Sequence, residues 1–164
     1  MSTDKFVGVV QAEWLETGRE KKLLGDFLYV DPSGRQWKAP KGSIIDGASI
    51  PRLFWTIVGS PFDEPYRKAS VVHDVACAKK TVRWEDVHRM FYYACLCGGV
   101  STIKAKVMFA AVFKFGPRWD AGGADIRASA IRVPEETLIS EFESLRQRIE
   151  TENPSLERVE QLAG

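Results

Sequence analysis

Residues 6–50 carry short apolar runs broken by turn residues, whereas from Pro51 onward apolar positions recur every three or four residues. The two spacings predict strands first and helices afterwards. Residues 6–10 (FVGVV) are apolar and β-branched, and 23–30 (LLGDFLYV) form a second strand candidate. Asp31-Pro32-Ser33-Gly34 is a turn signal, with a return strand expected at 35–38. Thr17-Gly18-Arg19 is expected to turn between the first two strands, and Pro40 and Gly42 punctuate the chain beyond the return strand.

Pro51 suits the first turn of a helix, which Gly59 should end. Further helices are expected at about 66–80 and 84–97, the second capped by Thr81 and stopped by Gly98-Gly99. A third begins after Ser101, carries Ile103, Val107, Ala110, Ala111 and Phe113, and ends near Gly116-Pro117. Residues 120–133 read as a linker or long loop. A last helix starts at Pro134, with Glu135 and Glu136 at the positive end of its dipole. Its stripe of Leu138, Phe142, Leu145 and Ile149 is spaced 4, 3, 4, and can dock on its own domain, on a partner or on a second copy.

The fold class is therefore α+β. An N-terminal antiparallel β meander of three or four strands is followed by an α-helical hairpin, a third core helix and a C-terminal amphipathic helix. Residues 1–120 are expected to form one domain, with 121–164 as linker and C-terminal helix.

Composition narrows the function. The 164 residues are 45% hydrophobic and 27% charged, which is ordinary for a globular chain. No apolar stretch is long enough to span a bilayer, and the first residues do not read as a secretory leader. The net charge of +1 hides a middle third at +4 and a C-terminal segment at −4. That basic excess is too mild to indicate nucleic acid. Cys77, Cys95 and Cys97 are too few and too poorly spaced for a disulfide framework, and C-x-C does not suggest a zinc or redox motif. They read as buried thiols in a reducing compartment.

Chemistry concentrates at two places. His73-Asp74 sits inside the helix at 66–80, among Ala69, Val71, Val72, Val75 and Ala76. If the next helix folds back around Thr81-Val82, His73 lies near residues 86–90, and Asp86 could reach the imidazole. An aspartate that fixes one ring nitrogen while the other faces water is the wiring of a general base. The same pair can equally be a satisfied polar cross-link between helices. Asp74 points about 100° away around the helix and would serve another task, such as holding a cation. The second place is Asp46-Gly47-Ala48-Ser49-Ile50-Pro51-Arg52, where Asp46 or Ser49 can cap the Pro51 helix. Walker, G-x-G-x-x-G, G-x-S-x-G and H-E-x-x-H patterns are absent.

DGASIPR at 46–52, Trp55, A-x-x-x-H-D at 69–74, W-x-D-x-x-x-x-F at 84–91 and F-G-x-x-W at 115–119 together resemble a family of tailed phages and prophages, domain of unknown function 1353. The resemblance implies a phage setting more than a reaction. A looser resemblance is to secreted and viral phospholipases A2, which also place His-Asp on one helix and an aspartate on an antiparallel second one. That resemblance implies His73 as base, Asp86 as its orienting group and Asp74 as a calcium ligand, with Asp46, Gly47, Ser49 and Arg52 in a loop over the site. Cys77 stands where those enzymes carry a tyrosine.

These readings support two functions as expectations. One is a phage-encoded hydrolase acting on a cell-envelope ester such as a phospholipid, with calcium as cofactor. The other is a non-enzymatic virion or tail accessory protein whose His–Asp network is structural. It would meet phage structural proteins, or a second copy, through the helix at 135–150. Either would act in the host cytoplasm during phage expression or as part of the virion.

Overall fold

The computed structural model describes residues 3–47, 50–126 and 133–164. The fold is α+β, as expected, but the single meander is replaced by two small antiparallel sheets. The strands are β1 (Lys5–Val7), β2 (Ala12–Trp14), β3 (Lys21–Leu23), β4 (Phe27–Val30), β5 (Gln36–Ala39) and β6 (Ile44–Ile45). One sheet has the order β1-β4-β5 and the other β2-β3-β6.

The expected strand at 23–30 is thus two strands in different sheets. Gly25 and Asp26 are poor strand residues, and Asp26 fixes the break by accepting a 2.8 Å hydrogen bond from the Lys41 amide. The first strand also ends early. Gly8 has φ +97°, and a Cβ there would lie 2.9 Å from the Asp26 carbonyl oxygen. β2 and β6 are not legible in the sequence because they are three and two residues long, too short to show alternation.

The turn at 31–34 is formed as expected. The Asp31 carboxylate accepts from the Ser33 and Arg35 amides and from the Trp37 indole. This locks the β4–β5 register, in which Tyr29 faces Trp37 and Phe27 faces Ala39. All four side chains are buried, so the inner face of this sheet is apolar where it meets the helices.

A 3-10 turn at Arg52–Phe54 leads into the short α1 (Trp55–Val58), which ends at Gly59. Pro51 itself holds the cap position of this turn without a side-chain cap. The longer helices are α2 (Arg67–Lys79), α3 (Trp84–Cys97), α4 (Thr102–Phe115), α5 (Glu135–Glu152) and α6 (Leu156–Ala163). Ser101 caps α4 by accepting from the Lys104 amide at 3.3 Å. Thr81 does not cap α3; Arg83 holds that position without a side-chain cap, and Glu85 and Asp86 supply charge in the first turn instead. α6 has no counterpart among the expected elements. Asn153 ends α5 in the left-handed region, and Ser155 restarts a helix by accepting from Arg158 at 3.2 Å. None of these helices is long and apolar enough to cross a membrane, among the described residues.

α2 packs on α3, α3 on α4, and α5 and α6 both cover α4. A helix enclosed in this way must be apolar almost all round, and Ala105 through Phe113 of α4 are all buried. Lys106 is buried among them, its ammonium donating at 2.8 Å to Asn153 at the end of α5. The α5 stripe is used within the chain. Phe142, Leu145 and Ile149 are buried, and the Phe142 ring lies 4.5 Å from Phe54 and 6.2 Å from Phe115. Phe142→Ala should therefore cost about 3–5 kcal/mol of stability, read as a lower urea midpoint with an unchanged m-value.

Candidate polar frame between two helices

Residues 73 and 74 sit next to each other on α2 but look in different directions, and each ties the helix to a different neighbour. His73 is 1% exposed and His88, on α3, is fully buried. His73 Nε2 lies 2.9 Å from His88 Nδ1. His88 Nε2 lies 2.8 Å from the Pro117 carbonyl oxygen. A carbonyl only accepts, so His88 carries its proton on Nε2, and its Nδ1 accepts from the Nε2–H of His73. The result is a directed chain from α2 through α3 to the segment after α4. Cys77, one helical turn after His73, places Sγ 3.6 Å from the same His73 nitrogen.

Aromatic rings close this chain off from water. Phe91 lies 4.4 Å from the His73 ring, and Trp84 and Trp119 lie 5.7 and 6.3 Å from His88. Trp119 is pinned by donating its indole N–H to the Val82 carbonyl at 2.8 Å, and Trp84 is covered by the Arg118 guanidinium. Burial, and then the proximity of His88, hold the His73 pKa well below that of a free imidazole, so the ring is neutral.

The expected His73–Asp86 dyad is not formed. Asp86 is one helical step away from the interhelical seam and is roughly one-third exposed. Its carboxylate accepts from Arg89 at 2.9 Å, and Arg89 in turn pairs with Glu160 of α6. His88 takes the place meant for Asp86. The sequence holds a signal for it: His73 and His88 are symmetric about the turn between the helices. Cys77 also carries one, since i and i+4 positions share one helix face.

Asp74 does meet the loop at 46–52, through one of its carboxylate oxygens. Its Oδ2 accepts from the Gly47 amide at 2.6 Å and from the Asp46 amide at 3.2 Å. Gly47 is demanded twice over. Its φ is +73°, and a Cβ would come within 2.7 Å of Pro61 Cγ and 3.2 Å of the Phe62 ring. Arg52 is exposed and stacks over Trp55 at 5.1 Å, with the Trp55 indole donating to the Ile50 carbonyl at 2.9 Å. Ser49 lies outside the described residues.

The motifs singled out in the sequence therefore converge. The A-x-x-x-H-D helix, Trp84 of the next helix and Trp119 of the F-G-x-x-W element all wall the histidine pair, and the 46–47 amides cap Asp74. The family model described as "Protein of unknown function (DUF1353)" matches residues 21–112. Two uncharacterized proteins of Sinorhizobium fredii are similar to this chain. The first, y4jT, is 48% identical over 98 residues, 60% of this chain and 29% of that one. The second, y4iH, is 46% identical over 99 residues, 60% of this chain and 41% of that one. The matched part spans less than half the length of these curated relatives. No solved structure matches the chain.

Neutral burial of His73 fixes a sign for pH dependence. The unfolded chain binds the proton near pH 6.5 and the folded chain does so only at lower pH, so stability falls as pH drops below about 6.5, by at most about 1.4 kcal/mol per pH unit for this group. Urea titrations between about pH 7 and about pH 5, with divalent ions chelated, should show that slope, and His73→Gln should flatten it.

Proposed function

The chain belongs to the DUF1353 family, and on that premise we propose that it is a non-enzymatic accessory or interaction component of a phage or prophage, in which the His–Asp network is structural. The observation that carries this reading is the closed hydrogen-bond chain from His73 through His88 to the Pro117 carbonyl, with His73 1% exposed. A general base needs a proton to take from substrate or water within hydrogen-bond reach. Here the side chain expected in that role spends its Nε2–H on a neighbouring helix behind three aromatic rings. The carboxylates expected to assist are engaged as well, Asp86 with Arg89 and Asp74 with backbone amides.

Among the described residues, exposed apolar side chains of the N-terminal segments offer a surface to a partner. Val9 is 69% and Trp14 63% exposed, and Val7, Leu24 and Ile44 are exposed in the same N-terminal segments. Tryptophan is enriched in protein interfaces because it offers a large, rigid, amphipathic contact. The phage setting rests on the ordered motifs from DGASIPR to F-G-x-x-W.

The test measures stability and hydrolysis together. His73→Ala in metal-free protein should lose about 1–3 kcal/mol, because His88 loses its donor inside an apolar enclosure. The wild-type chain should release no fatty acid from mixed phospholipid vesicles, with or without calcium, and calcium should not move its melting temperature. Lipid hydrolysis that disappears in a His73→Ala variant of unchanged stability would overturn this reading in favour of the hydrolase.

A further inference from the structure

A hydrogen-bonded frame between two helices has no need of a thiol, yet Cys77 stands against it. His73 and Cys77 are four residues apart and project from one face of α2, and α3 brings His88 against both. The three donor atoms, two imidazole nitrogens and one sulfur, lie within 4.8 Å of one another, and all three residues are buried.

Two of the three separations can be set against the edges of a metal tetrahedron. A tetrahedral zinc ion with bonds of about 2.3 Å to sulfur and about 2.0–2.1 Å to nitrogen sets the N–S edge near ~3.6 Å and the N–N edge near ~3.3 Å. The Cys77–His73 separation is 3.6 Å. The His73–His88 separation is 2.9 Å, shorter because a proton bridges the two nitrogens. Replacing that proton by a metal ion requires the rings to part by ~0.4 Å, and the Cys77 sulfur and His88 nitrogen, which lie within 4.8 Å, to stand at the same ~3.6 Å N–S edge, both by side-chain rotation.

We propose that His73, Cys77 and His88 form a binding site for a borderline transition-metal ion, with zinc the first candidate, clamped between α2 and α3. The proposal rests on the reading of these side chains as a structural frame and gives that frame a second state. A second observation supports it. Metal-bound histidines characteristically donate their other ring N–H to a carbonyl or carboxylate, which aims the lone pair at the ion. His88 does this, donating Nε2–H to Pro117 at 2.8 Å and turning Nδ1 toward His73 and Cys77. The donor set is sulfur and nitrogen, so calcium and magnesium, which take oxygen ligands, are poor occupants. On binding, the ion takes the Cys77 thiolate and both imidazole lone pairs, the thiol proton leaves to solvent, and the His73 proton moves from Nε2 to Nδ1. Cys77 is 8% exposed, the most open of the three, and marks the way in.

The experiment uses the full chain, stripped with a chelator and titrated with zinc and, separately, with cobalt(II). One ion per chain should bind, with a thiolate-to-cobalt charge-transfer band, and zinc at about a hundredfold over Kd should raise the melting temperature by roughly 5–10 °C. Cys77→Ala keeps the His73–His88 hydrogen bond, so it should melt within a few degrees of the metal-free wild type while losing both the band and the zinc shift. Cys97→Ser should keep both. A folded wild-type chain that shows neither band nor shift overturns the metal site. So does a band that survives Cys77→Ala and vanishes with Cys97→Ser. In those cases the loss of stability in metal-free His73→Ala still judges the structural frame by itself. Conversely, lipid hydrolysis that depends on zinc and on His73 would remove the non-enzymatic reading and leave the metal site standing.

Discussion

One hydrogen bond between two buried histidines, made inside an apolar enclosure, sets the distance and rotation of α2 against α3. Most helical packing is non-directional and tolerates small slips. A buried polar pair does not, because a slip would strand a donor and an acceptor away from water at about 1–3 kcal/mol. The His73–His88 bond therefore selects one arrangement among those that burial of Val72, Val75, Val87 and Phe91 alone would allow. His88 passes the constraint on through Pro117, so the exit from α4 is held to the same reference point. α5 and α6 then pack against a helix whose ends are already placed.

The neighbouring residue does the corresponding task toward the sheets. Asp74 receives the Asp46 and Gly47 amides, and so joins the loop after β6 to the centre of α2. Two consecutive side chains thus connect the middle of one helix to both halves of the fold. Adjacent positions on a helix diverge by about 100°, which is why a His-Asp pair can serve two separate neighbours without competition.

Much of this is legible in the sequence, and the misses have physical causes. α3, α4 and α5 are readable because their spacing runs over fourteen residues or more. The strands are poorly legible because three- and four-residue elements with one solvated face carry too few positions to show a period. The site is legible to within a residue or two. Folding α2 and α3 back on each other brings 73 near 86–90, but only side chains on the seam meet, and Asp86 lies off it beside Arg89. The catalytic expectation draws on the acidic residue because carboxylates are the usual partners of a general-base histidine. A second histidine satisfies the same geometry, inside an enclosure built from Phe91, Trp84 and Trp119.

The way Asp74 holds its loop bears on how the chain can diversify. It grips main-chain amides, which every residue except proline supplies. At position 46 the Asp74 grip uses the main-chain amide, and at 47 the backbone demands the glycine that fits beneath Pro61. These hydrogen bonds therefore place the backbone without reading the side chain at 46. Descendants of this sequence can change the side chain at 46 without removing the main-chain donor that Asp74 grips, proline excepted.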